Sequence, residues 1–241
     1  LFSIEGTVFG VEICEDLWVP APPSSDMALS GAKLLFNLSA TPEIVGKHAY
    51  IRSLVEQQSA RTLCGYIYCS AGVGESSTDL VFTGNGLIAE NGTIIAARER
   101  FVRKPMLTVA DIDVEYLENE RRRHTSFINL DGRYDVIDVA SAIADSPVER
   151  EVSPAPFIPH DTDAGCREIF SIQTAGLAQR LAHTHCTKAV IGISGGLDST
   201  LSLLATVATF DMLGLDRKGI VAVTMPGFGT TDRTYTNALA L

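Results

Sequence analysis

Apolar and polar positions follow two different periods along the first 115 residues. Residues 6–14 (GTVFGVEIC), 32–38 (AKLLFNL) and 65–71 (GYIYCSA) are short apolar runs bounded by turn formers, the pattern of buried strands. Between the first two, Pro20, Pro22 and Pro23 break the chain ahead of Ser24, Ser25 and Asp26, which predicts a helix start. Over residues 42–64, Ile51, Leu54, Val55 and Leu63 recur at helical spacing. Residues 81–89 and 93–97 flank Glu90-Asn91-Gly92 and predict a hairpin turning on Asn-Gly. Residues 106–112 (MLTVADI) predict a further strand, and residues 113–123 a helix with a charged end. The Arg121-Arg122-Arg123 run reads as a solvated face.

The pattern changes after residues 146–163 (SPVEREVSPAPFIPHDTD). Four prolines there suit an extended linker, which predicts a boundary between a domain over 1–145 and a second over 164–241. Beyond it, residues 164–185 predict a helix, with Leu177 and Leu181 one turn apart. Residues 188–193 (KAVIGI) predict a strand, 194–199 a glycine loop, and 200–213 a helix with Leu201, Leu204, Ala205, Ala208 and Met212 on one face. Residues 218–225 predict a second strand, followed by the loop PGFGTTD and a last helix that runs to Leu241. This β-loop-α-β-loop-α order implies a parallel sheet with right-handed crossovers.

Composition narrows the classes. The chain has 241 residues, of which 46% are hydrophobic and 20% charged, so it can repay chain entropy and fold. A formal net charge of −10 without a basic stripe argues against nucleic acid as a partner. No apolar run approaches the ~18 residues of a spanning helix, and no basic-then-apolar leader opens the chain. The five cysteines lack metal-ligand spacing, and a reducing cytoplasm is the expected setting. A first residue of Leu1 and a last helix reaching the final residue give the expectation of an internal portion of a longer chain.

The first candidate for chemistry is Cys14, where an apolar strand meets Glu15, Asp16 and Trp18. A strand end holds a side chain rigidly, as a nucleophile requires, but a cysteine in a strand is also commonly a small core hydrophobe. The two flanking carboxylates disfavour a thiolate, so activation needs groups from elsewhere. The segment VEICEDLWVPAPPSSDMALSGAKLLFNLSA, with Gly72 to Glu75 and Asn91-Gly92, resembles the carbon–nitrogen hydrolase (nitrilase) family, nearest to the glutamine-hydrolysing domains of glutamine-dependent NAD synthetases. The resemblance places Cys14 as the nucleophile on the glutamine amide. It also implies a Glu base and an oxyanion-binding Lys ahead of Leu1, so that neither Glu15 nor Lys47 substitutes for them. Thr41 and Lys47 fall where family members hold glutamine with Ser and Arg, although a turn Thr and a solvated Lys fit those positions equally. Cys64 and Cys69 read as core and His48 as surface, while Cys166 and Cys186 lie in no motif.

The second candidate is Ser194-Gly195-Gly196-Leu197-Asp198-Ser199, which follows a strand and opens a helix. Glycines let backbone N–H groups converge on an anion, and the helix start adds its positive end. No Gly-Lys-Ser/Thr appears, so this is not a Walker A loop. It resembles the SGGxDS pyrophosphate loop of ATP pyrophosphatases. That resemblance implies ATP contacts at Gly192, Ile193, Ser194, Gly195, Gly196, Leu197, Asp198, Ser199 and Met225, with Mg2+ on Asp198. The run MPGFGTTD through Asn237-Ala238 is similar to NAD synthetases.

The expected fold is α/β: the C-terminal part of an α-β-β-α nitrilase-like sandwich, then the start of a doubly wound parallel-sheet domain of the adenine nucleotide hydrolase type. The resemblance implies a ligase in which glutamine hydrolysis at Cys14 supplies ammonia to ATP-adenylated deamido-NAD, giving NAD, AMP and pyrophosphate. Glutamine, ATP and deamido-NAD are the implied small molecules, without nucleic acid or membrane, in a homo-oligomer when full length. Deamido-NAD contacts are expected beyond Leu241, and the chain alone is expected to be inactive. Two alternatives remain at this point: another glutamine-using adenylating ligase, and an inactive fragment that binds ATP or pyrophosphate.

Overall fold

A computed structural model describes residues 1–127, 133–140, 147–159 and 161–241. The chain divides into two compact units, Leu1–Glu151 and Val152–Leu241. The expected domain boundary at 145/146 lies outside the described residues. Within the expected linker, residues 147–151 belong to the first unit, and the helix of the second already begins at Thr162.

The first unit carries β1 (Phe2–Ile4), β2 (Thr7–Ile13), α1 (Pro23–Leu29), β3 (Leu34–Ser39), α2 (Lys47–Thr62), β4 (Gly65–Ser70), β5 (Gly86–Glu90), β6 (Thr93–Ala97), α3 (Val114–Arg122) and β7 (Ile137–Asp138). Among the described residues these strands form one mixed sheet in the order β6-β5-β4-β3-β2-β1-β7. The three apolar runs form its parallel centre, with Phe9 beside Leu34 and Leu34 beside Gly65. Two-residue turns close the antiparallel flanks. Glu5-Gly6 and Asn91-Gly92 all take positive φ, which matches the right-handed twist of a hairpin.

Strand periodicity separates the two faces. Leu35, Tyr66, Tyr68, Leu87 and Ala89 pack with Ala28, Ile51 and Val55 of α1 and α2 in one core cluster. Full burial of one such aliphatic is worth roughly 2 kcal/mol. Glu12 shares this covered face. Its carboxylate accepts hydrogen bonds from the Tyr66 hydroxyl and, at 2.9 Å, from the Ser24 N–H in the first turn of α1. The positive end of a helix compensates a charge that would otherwise be costly to bury. Burial and the Glu12 charge together push the Tyr66 hydroxyl far above the usual phenol range. On the opposite face Phe2 stacks on Phe9 and Phe9 meets Phe36 edge-on, while Ile13 and Leu38 stay 57% and 52% exposed.

Several expectations are corrected here. Residues 106–112 form no strand: no ladder among the described residues pairs them, and Leu107 and Val109 are 87% and 70% exposed. Residues 81–85 likewise stay outside β5. Arg121 is buried rather than solvated. Leu117 lies one turn before it on α3, so the same helix face carries both inward. Its guanidinium donates to the carbonyls of Ala32 (2.6 Å), Thr62 (2.9 Å) and Leu63 (3.1 Å), closing the C-terminal end of α2. Arg122 and Arg123 are exposed. Cys64 is core, where burial pushes its thiol up against the opposing Arg121 charge, but Cys69 is exposed on the open sheet face. His48 is half-buried, and its Nδ1 finds no partner among the described residues.

In the second unit, α4 (Thr162–Thr184), β8 (Ala189–Gly192), α5 (Leu197–Leu213), β9 (Ile220–Val223) and α6 (Asp232–Ala240) follow one another. β8 and β9 pair in parallel, from Ala189 beside Ile220 to Gly192 beside Val223. α5 begins three residues earlier than expected, taking in Leu197 to Ser199. Its buried side is Ala205, Thr206, Thr209 and Phe210, whereas Leu201, Leu204 and Met212 are exposed. The helix is apolar nearly all round, so its periodicity does not choose a face. The buried threonines satisfy their hydroxyls on carbonyls one turn back, Thr206 on Ser202 and Thr209 on Ala205.

Candidate functional site

Cys14 is the first residue after β2, at the head of a single 3-10 turn (Cys14–Leu17). Its φ of +47° is the left-handed region that a residue with a Cβ enters at a cost of order 1 kcal/mol. The surroundings impose this conformation. Asp16 Oδ2 accepts from the Ile13 N–H at 2.7 Å, and Asn37 Nδ2 donates to the Cys14 carbonyl at 3.3 Å. Ser39 in turn donates to Asn37 Oδ1 at 2.6 Å.

The thiol lies 3.5 Å from the Thr41 hydroxyl. Burial pushes the thiol up, but hydrogen bonds with Thr41, the Ala40 backbone, Ser39 and the Glu15 backbone outweigh it and hold Cys14 below the ordinary thiol value. A thiol so held gives up its proton more readily, the chemistry a nucleophile needs. Thr41 is therefore brought to Cys14. Lys47, at the start of α2, donates instead to the Pro42 carbonyl at 2.9 Å and lies 5.7 Å over the Trp18 ring, which stacks on Tyr50.

Asn37 and Ser39 were not singled out by the motif, yet they support the Cys14 elbow. Their signal is the period of two: polar residues at alternate places of an apolar strand point to one side. Glu12 follows the same rule two residues before Cys14.

In the second unit the glycine loop lies between the end of β8 and α5. Gly195 has φ +78°, and a Cβ there would overlap the Thr234 carbonyl of α6. The loop closes on itself. Ser199 Oγ accepts from the Ser194 N–H at 3.3 Å and donates to the Gly196 carbonyl at 3.1 Å. Ile193, Ser194, Gly196 and Met225 line one cavity of about 270 Å³, together with Thr230 and Thr234. Gly195, Gly196 and Leu197 line an adjoining one of about 640 Å³, with Arg233, Thr234 and Asn237. Gly192 is the last residue of β8, and Asp198 is exposed in the first turn of α5. The cavities thus follow the carboxyl ends of two parallel strands and face a helix start, an arrangement suited to a phosphate chain. Among the described residues no three or more His, Cys, Asp or Glu side chains cluster as a metal cage, and no helix is long and apolar enough to cross a membrane.

Residues 1–122 match the carbon-nitrogen hydrolase family model, and residues 169–241 match the NAD synthase model. The glutamine-dependent NAD(+) synthetase of Mycobacterium leprae is 41% identical over 249 residues, covering 98% of this chain and 36% of that protein. The protein of the same description from Mycobacterium tuberculosis H37Rv is 42% identical, covering 99% and 37%. That from Thermotoga maritima is 30% identical, covering 96% and 38%. The chain therefore spans little more than a third of the length of these relatives.

Proposed function

We propose, on the premise that the chain belongs to the carbon–nitrogen hydrolase family, that it forms part of a glutamine-dependent NAD synthetase, a ligase that joins ammonia to a carboxylate. The carrying observation is one chain holding both a hydrogen-bonded, lowered Cys14 thiol and a glycine loop at the end of paired parallel strands. The division proposed is a glutamine amidohydrolase domain over residues 1–145, a connector over 146–163 and an adenylating domain over 164–241.

In the first domain Cys14 Sγ attacks the glutamine carboxamide carbon, the C–N bond breaks, and ammonia leaves a glutamyl thioester that water hydrolyses to glutamate. Thr41, beside the thiol, and Lys47 hold the glutamine, Lys47 exchanging the Pro42 carbonyl for the glutamine carboxylate. The general base and the oxyanion cation are assigned to neither Glu15 nor Lys47.

In the second domain the loop Ser194, Gly195, Gly196, Leu197, Asp198 and Ser199 holds the phosphates of ATP, with Gly192 and Ile193 leading into it and Met225 beside the adenine. The deamido-NAD carboxylate displaces pyrophosphate from ATP, and ammonia then displaces AMP to give NAD. Loop N–H groups and the start of α5 stabilise charge on the departing pyrophosphate. Asp198 is the carboxylate that would hold Mg2+. One carboxylate plus phosphate oxygens is a donor set this ion commonly accepts, and the ion supplies charge neutralisation when bound. Ammonia released inside protein stays unprotonated and nucleophilic, which is the reason for joining the two activities.

The test uses a protein of the relatives' length that carries this sequence. Cys14→Ser should abolish glutamine-driven NAD formation and leave ammonia-driven formation intact, followed by pyrophosphate release. Loss of both activities in a folded variant would refute this division of roles.

A further inference from the structure

We propose that Glu43 is a positioning residue for Cys14, fixing the segment that presses Thr41 against the thiol. The inference rests on the reading of Cys14 as the nucleophile.

Thr41 stands in irregular chain between β3 and α2, where no ladder holds it. Lys47 reaches the Pro42 carbonyl at 2.9 Å from α2, and the anchor to the sheet side is Glu43. Its N–H donates to the Val81 carbonyl at 2.8 Å. Its Oε2 accepts from the buried Thr83 hydroxyl at 3.2 Å and pairs with Arg100 at 3.2 Å. The Thr83 carbonyl accepts from the Phe101 N–H at 2.9 Å, so one carboxylate ties the Thr41 segment to the chain before β5 and after β6.

The arrangement is a poor one for stability alone. Glu43 Oε1 is buried without a hydrogen-bond partner among the described residues, and so is Nδ1 of His48, whose charged form would be favoured by Glu43 and opposed by Arg100 and Arg52. Unsatisfied buried polar atoms are destabilising, and where they persist a functional constraint is a common reason. The constraint here is geometric. The Cys14–Thr41 contact at 3.5 Å has little slack, and a drift of roughly half an ångström breaks a hydrogen bond of this kind. Of the groups that hold the thiol down, Ser39 is fixed in β3 and the Glu15 backbone belongs to the turn after Cys14, whereas Thr41 and Ala40 reach it only while residues 40–43 keep their course.

The measurement is alkylation of Cys14 by iodoacetamide over a pH series in the 241-residue chain, with the Cys14 peptide quantified by mass spectrometry. Glu43→Gln and Arg100→Gln should slow alkylation at neutral pH about threefold and raise its midpoint by about half a unit, because the thiolate fraction falls. Thr83→Ser keeps the hydroxyl and should keep the wild-type profile. Glu118→Gln, which removes the distant 2.7 Å pair with Lys33, should keep it too. Wild-type profiles in folded Glu43→Gln and Arg100→Gln overturn the proposal. If Glu43→Gln does not fold, Arg100→Gln decides, a shift supporting the proposal and an unchanged profile ending it. A shifted profile, joined with no glutamine hydrolysis by a protein of the relatives' length that carries this sequence, supports the positioning role and removes the glutaminase reading instead.

Discussion

Arg121 and Arg122 are neighbours in sequence with opposite surroundings, and a stability measurement should separate them. Arg121→Ala leaves the carbonyls of Ala32, Thr62 and Leu63 buried without their donor, which should lower the unfolding free energy by about 3 kcal/mol or more in urea titration. Arg122→Ala, losing only an exposed pair with Glu118, should change it by less than ~0.5 kcal/mol. Arg121→Lys should recover part of the loss at most, since an ammonium lacks the planar fork that meets several carbonyls. His48 sets a pH dependence of definite sign. Burial first, then the Arg100 charge, hold its folded pKa below the unfolded value of about 6.5. The unfolded chain therefore takes up the proton first as the pH falls. The stability from neutral His48 is fully present above about pH 6.5 and declines below it; His48→Asn should flatten that decline in urea midpoints. At this scale the strand end before Cys14 was legible as a local pattern, whereas the pairing of Cys14 with Thr41 entered only through the family resemblance. Arg121 was legible only in part: a run of three like charges says nothing of which one turns inward, whereas its spacing of four from Leu117 does.

Elements were readable where their chemistry is local and failed where they need a distant partner. The turn predicted at Asn91-Gly92 meets a requirement for positive φ that the residues themselves satisfy. Residues 106–112 have strand-like composition, but a strand exists only by pairing, and no edge among the described residues receives them. The face of α5 failed for a related reason. With leucines, alanines and a methionine around most of its circumference, the buried side is set by α4, where Thr209 meets the Thr174 carbonyl at 3.3 Å. The glycine loop is the element whose residue choice is most constrained. Gly195→Ala meets both a left-handed backbone and the Thr234 carbonyl, so α6 must shift away. Binding of inorganic pyrophosphate, followed by calorimetry, should fall at least tenfold while the far-ultraviolet circular dichroism stays unchanged. The neighbouring Gly196→Ala, whose φ is negative and whose nearest contact is the Ser194 hydroxyl at 3.5 Å, should do less harm.

For the whole molecule, the two candidate sites sit in separate units, each at the carboxyl ends of parallel strands. Under the proposed function both nitrogen sources meet the same adenylate, so in a protein of the relatives' length Asp198→Asn should depress glutamine-driven and ammonia-driven NAD formation together, in contrast to Cys14→Ser. Pyrophosphate release measured with each nitrogen source distinguishes the two patterns. The order of the two motifs along the chain made this division legible from sequence, while the anchors of the Thr41 segment did not show, since Glu43, Thr83 and Arg100 lie far apart in the chain and meet only in the fold. The open face of the first sheet bears on how the protein behaves in the tube. A surface carrying Phe2, Ile13 and Leu38 in contact with water will take up hydrophobic dyes and adhere to plastic. It will also tend towards turbidity as salting-out ions are added, so dilute samples in mild buffers keep it tractable.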